Sequence, residues 1–258
     1  LELQPAMPAA QRLSISVAVK QQRWKDALAV ARDMQARQPA DSAGLLVEGE
    51  IELEQKNYDA AIAAFRKACA MASPGQGPAR LHAALMLAKR DAEAAKFVDS
   101  WAVSHPKDGL FQYYLGDVAL GKNDYPAAER RYNEVLKLQP EHALALNNVA
   151  WLMVQQKRTG AVALAERAVK AAPNQPPLMD TLALALAAES QLPKAIEVQK
   201  QVVAMAPQAP SFRLNLARML VQSGDKAAAR TELQALEKLG IAFAGHTEVA
   251  DLLKKLGS

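Results

Sequence analysis

The residue types that carry catalysis or bind metals occur in this chain, but never at a working spacing. The four histidines, His82, His105, His142 and His246, are scattered, with no His-x-x-x-His pair and no Cys/His pairing of the kind that holds zinc. Cys69 is the single cysteine, so it has no internal disulfide partner. It follows Ala68 on an apolar helical stretch, with no histidine or lysine placed to activate a thiol. Gly75-Gln76-Gly77-Pro78 lacks both the preceding strand and the following Lys-Ser/Thr of a phosphate-binding loop, and it reads as a turn between elements. Glu48 and Glu52, four residues apart, form a solvated helix edge rather than an acid/base pair. No Gly-x-Ser-x-Gly or comparable signature fixes a nucleophile. The expectation is a chain with no catalytic residue, no cofactor and no metal, which works by binding.

The elements that would position a binding surface follow from a period. Ala27, Ala61, Ala94, Ala128, Ala161, Ala195 and Ala229 are separated by 34, 33, 34, 33, 34 and 34 residues. A proline stands twelve residues after five of them, at Pro39, Pro106, Pro140, Pro173 and Pro207, and after Ala61 it slips by one to Pro74. Within one period, Leu115 to Pro140, apolar and small residues recur at three- and four-residue steps on both sides of the polar break Lys122-Asn123-Asp124, which is the helical spacing. Pro126 fits the first turn of the second helix and Pro140 ends it. Each repeat is therefore two antiparallel helices. Gly49, Ala83, Gly116, Ala150, Ala183 and Ala217 mark close approach on the first helix, and the periodic alanines mark it on the second. Ala83 and Ala150 lie 11 residues before their partner alanine and the others 12, which places one lost residue at the helix–helix turn of those two repeats.

This is the pattern of a tetratricopeptide repeat. It predicts an all-α, right-handed superhelical solenoid of seven repeats, about 8–41, 42–75, 76–108, 109–142, 143–175, 176–209 and 210–242. In residues 243–258, Val249, Leu252, Leu253 and Leu256 follow a candidate Thr247 N-cap and make one amphipathic helix that covers the last repeat.

In such arrays the first helices line the concave face, through positions three before, two before and one after the small residue. This register gives a strip of binding candidates: Arg80, Tyr113, Tyr114, Asp117, Asn147, Asn148, Trp151, Asp180, Thr181, Asn215 and Arg218. Rings, amides and both charge signs suit an extended protein or peptide partner, or a polysaccharide. The same polar groups also suit bonds between adjacent repeats. The paired lysine, arginine and asparagine clamp of chaperone-binding tetratricopeptide domains is absent, so a chaperone tail is not the expected ligand. The expected groove runs from the fourth repeat to the seventh, because the second and third offer mainly Leu46, Val47, Leu81 and Ala84.

Composition narrows the partners. The 31 basic and 27 acidic residues are spread along the chain and leave a net charge of +4, a mixed solvated surface with no nucleic-acid stripe. Half of the residues are apolar but only 5% are aromatic, so the core is built from Ala, Leu and Val. No stretch has the length of a transmembrane helix. The chain opens at Leu1 rather than Met and reads as a piece of a longer protein.

Several segments carry a narrower likeness: Leu46-Val47-Glu48-Gly49-Glu50, Arg80-Leu81-His82-Ala83-Ala84-Leu85, His105-Pro106-Lys107-Asp108, Tyr114-Leu115-Gly116-Asp117, Asn147-Asn148-Val149-Ala150-Trp151-Leu152 and Asp180-Thr181-Leu182-Ala183. Gly224-Asp225-Lys226 through Glu232-Leu233 to Leu252-Leu253 extends it. In this order they resemble the C-terminal part of the tetratricopeptide (lipo)protein of bacterial PEP-CTERM/exosortase and exopolysaccharide systems. The resemblance implies a secreted or lipid-anchored scaffold, periplasmic or at the outer membrane of a Gram-negative envelope, associated with polysaccharide export and sorting of PEP-CTERM proteins. The alternatives are a carbohydrate-binding module that contacts the polymer and a cytoplasmic peptide-binding adaptor.

Overall fold

The structure is a computed structural model of the chain, described here for residues 8–71 and 75–257. Leu1 and Pro74 lie outside the described residues. All regular structure among the described residues is helical. By internal contacts the chain divides into two compact units, Leu1–Tyr114 and Leu115–Ser258. In the first unit the helices pair in sequence order: α1 (Pro8–Lys20) with α2 (Trp24–Arg37), α3 (Ala43–Glu54) with α4 (Tyr58–Cys69), and α5 (Gly77–Leu87) with α6 (Asp91–Ser104). Helix α7 (Gly109–Gly121) carries the division. In the second unit α8 (Tyr125–Leu138) precedes the hairpins α9 (Ala143–Gln155) with α10 (Ala161–Ala171), α11 (Pro176–Ala188) with α12 (Leu192–Met205), and α13 (Pro210–Ser223) with α14 (Lys226–Glu237). A 3-10 turn at Gly240–Ala242 and a last helix, α15 (His246–Gly257), follow.

The seven periodic alanines are all buried, none of them more than 1% exposed. Space around them is filled in complementary fashion. A Cβ on Gly49 would collide with the Phe65 ring, and one on Gly116 would sit 2.5 Å from Tyr132 Cε1. Phe65 and Tyr132 each stand four residues after their alanine, and Ala165 and Leu233 hold the same place in other hairpins. Where the second helix carries a ring, the first helix gives up its side chain entirely.

Each hairpin turns through a residue with positive φ: Gln22 (55°), Lys56 (61°), Lys89 (57°), Asn123 (57°), Lys157 (53°), Ser190 (62°) and Gly224 (84°), and the α9–α10 hairpin has a second, Gly160 (93°). In the six turns from Gln22 to Ser190 the next N–H reaches back five residues, as from Asn57 to the Glu52 carbonyl (2.8 Å) and from Asp124 to that of Ala119 (2.9 Å). This bond satisfies a carbonyl that the ending helix leaves open. Asp124 and Asp225 then cap the following helix by accepting from Ala127 N and Ala228 N, both at 3.0 Å.

These turns correct the register expected for the third repeat. Gly49, Gly116, Ala150, Ala183 and Ala217 each lie seven residues before the positive-φ residue; seven before Lys89 is His82, not Ala83. His82 is 6% exposed, its Nδ1 is 3.0 Å from Tyr114 Oη, and it meets the Tyr114 and Phe111 rings edge-on. These contacts accommodate an imidazole where the other repeats need a small residue. The residue missing from this repeat is thus lost between α4 and α5, upstream of the hairpin. In the fifth repeat the loss does fall at the hairpin turn, after Lys157. There Gly160 has no side chain to cap α10, and Glu189 Oε1 accepts from Gly160 N (2.9 Å) and Val162 N (3.1 Å) instead.

At the C-terminal end, Val249 and Leu256 of α15 bury against a cluster that includes Leu216, Ala217, Leu220, Leu233 and Leu236. The Arg230 guanidinium donates to the Leu256 carbonyl at 2.9 Å. Thr247 is not the N-cap expected from the sequence, because the helix already begins at His246.

The Gly49 contact gives a direct test. Alanine is the better helix former by roughly 0.5–1 kcal/mol, yet Gly49→Ala is expected to destabilise the chain by roughly 1–3 kcal/mol through overpacking on Phe65. Adding Phe65→Leu should recover most of that loss. Urea unfolding of the two variants against wild type measures both; a stabilising Gly49→Ala would mean that this contact is not tight.

Candidate functional site

In the first unit the structure brings Arg80 and Tyr114 together around a cavity of about 330 Å³ between α5 and α7. Pro78, Ala79 and Ala83 line it from α5, and Leu110, Phe111 and Tyr114 from α7. Ala79 and Ala83 fall one turn apart, on the same face of their helix. The Phe111 and Tyr114 rings lie parallel within 13°, with centroids 6.0 Å apart. Burial raises the Tyr114 phenol pKa against the opposing charge of Arg80, so the ring presents a neutral hydroxyl to His82. Arg80 Nη2 pairs with Glu50 of α3 at 3.0 Å, with both side chains about half exposed (45% and 47%). Asp108 also borders the cavity, but its two oxygens are engaged, one by Trp101 Nε1 (2.9 Å) and one by Phe111 N (3.0 Å). Tyr113 is half-buried and engaged. Leu81 and Ala84, the positions expected to line the groove here, are 1% and 0% exposed. They belong to the core because, counted from His82, they stand one before and two after the packed residue, where Val149 and Leu152 are buried in the fifth repeat.

In the second unit the polar candidates bond largely to one another. Asp180 Oδ1 accepts from Gln199 Nε2 (2.6 Å) and from Asn215 Nδ2 (2.9 Å). Asn215 Oδ1 in turn accepts from Arg218 Nη1 (2.8 Å). Arg218 also forks onto Glu248 of α15, Nε to Oε1 and Nη2 to Oε2, both at 2.6 Å. One run of hydrogen bonds thus links α11, α12, α13 and α15. Burial pushes the Asp180 carboxyl pKa up, opposed in order by the bonds from Asn215 and Gln199 and by the Arg218 charge. The Arg218 fork holds Glu248 below the usual carboxylate range.

The remaining candidates divide. Asp117 is exposed and accepts from Tyr132 Oη at 2.6 Å. Asn147 and Asn148 are half-buried, with Asn147 Nδ2 3.3 Å from Asn148 Oδ1. Trp151 is half-buried and meets Tyr125 edge-on at 6.0 Å. Thr181 is not a surface residue at all. It is 4% exposed and its hydroxyl returns to the Pro177 carbonyl of its own helix at 3.2 Å.

His82, Gln199 and Glu248 were not among the sequence candidates. Gln199 had a visible signal, an amide four residues after Ala195 where other repeats place Phe65, Tyr132 or Leu233. The twelve-residue interval from His82 to Ala94 marked the histidine. Nothing local marked Glu248, which is thirty residues from its arginine. No cluster of three or more His, Cys, Asp or Glu among the described residues could hold a metal ion. Burial pushes the Cys69 thiol up to about 12, with Arg66 opposing and Asp108 reinforcing the shift. No helix among the described residues is long and apolar enough to cross a membrane.

Compared with known proteins, the chain matches one tetratricopeptide-repeat model over residues 14–76 and 113–176, and a second over 186–256. Among solved structures, the 41-to-end form of MamA from Desulfovibrio magneticus RS-1 is similar with 25% identity and a TM-score of 0.56, over 64% of this chain and 96% of that one. Pseudomonas aeruginosa pilF is 19% identical with a TM-score of 0.63, over 84% of this chain and 99% of that one. A chain of the APC/C hetero-tetramer Cut9–Hcn1 is 15% identical with a TM-score of 0.64, over 99% of this chain and 50% of that one. The last two show likeness of fold alone. No curated protein matches the sequence.

Two measurements test this chemistry. Between the ordinary aspartate pKa of about 3.9 and the raised value in the folded state, the native chain binds more protons at Asp180 than the unfolded chain does. This group's contribution to stability therefore falls as pH rises through that window. The stability of wild type relative to Asp180→Asn should accordingly shrink from acid towards neutral pH and then level off, read by urea unfolding at several pH values. The opposite slope would show that the hydrogen bonds outweigh burial. The Cys69 thiol should react with a disulfide reagent at pH 8 at least ~100-fold more slowly than a free thiol of pKa about 8.5, measured by the absorbance of the released thiolate.

Proposed function

The chain belongs to the tetratricopeptide-repeat proteins, and from that premise we propose that it is a non-enzymatic protein–protein interaction scaffold of a Gram-negative envelope. Its task would lie in an exopolysaccharide and PEP-CTERM sorting system, and its place in the periplasm or at the outer membrane. The observation that carries the interaction role is the arrangement of the first helices. Leu81, His82, Ala84 and Leu85 of α5 are buried, while Arg80, Leu110 and Tyr114 line an open cavity. Packed helices of this kind hold a surface in place at little further entropic cost on binding. Support for the envelope system comes from the ordered segments between Leu46 and Leu253 that resemble that family.

The test is capture from cross-linked envelope fractions with the tagged chain, followed by identification of the bound proteins. The expected result is retention of components of polysaccharide export or PEP-CTERM sorting, weakened by roughly 1–2 kcal/mol or more by Arg80→Ala or Tyr114→Ala. Lys137→Ala and Lys170→Ala, on second helices, should leave it unchanged. Partners drawn only from the cytoplasm would instead support the adaptor reading. Retardation by the purified polymer with no protein partner would support carbohydrate binding.

A further inference from the structure

We propose that the cavity between α5 and α7 is the anchoring subsite of the interaction face, and that it takes an apolar side chain of leucine or phenylalanine size carried next to a carboxylate on a partner peptide. This rests on the scaffold reading and names the chemistry that its partner must present.

Size and lining set the first half. A volume of about 330 Å³ lies at the small end of ligand sites, which run roughly 300–1,000 Å³, and suits one bulky side chain with its flanking backbone. Ala79 and Ala83 contribute nothing beyond a methyl group, so the α5 side is low. Phe111 and Tyr114 form the facing aromatic wall, with Tyr114 tethered to His82 at 3.0 Å. Leu110 is 71% exposed. Uncovered apolar surface beside a concavity gains most from an apolar guest.

Charge sets the second half. A guanidinium has five N–H donors, and the one ion pair of Arg80, through Nη2, goes to Glu50. That pair is half in water, and such pairs hold weakly and exchange readily. The group that matches the guanidinium fork is a carboxylate. Asp108 keeps its charge although each of its oxygens already accepts one bond, from Trp101 Nε1 or from Phe111 N. The preference for an acidic neighbour over a basic one therefore rests on the Arg80 fork alone, and Glu50 competes for it.

The experiment titrates the full chain into fluorescein-labelled Gly-Ser-Gly-Ser-Phe-Asp-Ser-Gly-Ser and reads anisotropy. Three analogues carry Ala for Phe, Asn for Asp or Lys for Asp. The parent peptide should bind at least about fivefold more tightly than any analogue, and Ala83→Trp, which fills the cavity, should weaken it roughly tenfold or more. Arg80→Gln should erase the preference for Asp over Lys while keeping that for Phe over Ala. Glu50→Gln should strengthen parent binding by removing the internal competitor. Far-ultraviolet dichroism checks folding, and Ala83→Leu is a milder filling if the tryptophan disturbs the helix. Wild type that does not distinguish Asp from Lys, that shows no parent binding up to about 1 mM, or whose binding survives a folded Ala83 variant overturns the proposal. If the Ala83 variants still capture the envelope partners, the scaffold reading stands without this subsite. If wild type captures none, the scaffold reading itself fails, and the peptide series reports on the cavity separately.

Discussion

Close packing at the alanine of each hairpin is the contact on which everything else rests. Two helices can run side by side at minimal distance only where neither carries bulk at the crossing, and seven alanines with no more than 1% exposure provide that place. The free volume of a hairpin is then shared between its two helices. A ring on the second helix at Phe65 or Tyr132 requires the bare backbone of Gly49 or Gly116 opposite. Smaller residues at the ring position, such as Ala165, accompany alanine on the first helix. At Gly49–Phe65 and Gly116–Tyr132 the space that one helix leaves is filled by the other.

The turns translate that packing into register. A left-handed residue seven positions after the packed residue of the first helix closes it in each hairpin from the second to the seventh, whatever the residue type. Single-residue losses are absorbed on either side of this fixed interval and never within it. Where the loss shortens a turn, at Gly160, the missing cap is supplied by Glu189 from the next hairpin. Where it falls before α5, the helix keeps its interval to the turn at Lys89 and His82 takes the packed place. That register buries Leu81 and Ala84, brings His82 against Tyr114 and leaves Ala79 and Ala83 lining the cavity.

Polar side chains on the first helices serve two ends. Around Asp180 they tie one hairpin to the next, with a fully buried Gln199 occupying a position that other repeats fill with a ring or leucine. Such a network sacrifices apolar packing for directional bonds, and it extends through Arg218 to the helix that covers the last repeat. Around Arg80 the polar group stays half in water beside exposed apolar surface, the arrangement on which the proposed subsite rests. The same residue types thus hold the array together in one unit and face outward in the other.

The sequence by itself determined the helical hairpins, their number and their sealing alanines, because period, proline stops and small residues act through local geometry. It also determined which side chains were candidates for contact: Arg80 and Tyr114 line the cavity, and Asp180, Asn215 and Arg218 meet in one network. Only the tertiary structure decided which of these were spent internally. Gln199, Asp180 and Asn215 are brought together by the stacking of three helices, and Glu248 reaches Arg218 across thirty residues, a distance over which no spacing rule operates. The same holds for Thr181, whose hydroxyl found its own backbone, and for the third repeat. There the small residue Ala83 stands beside the twelve-residue interval that points to His82, and the turn at Lys89 fixed the packed face on the histidine.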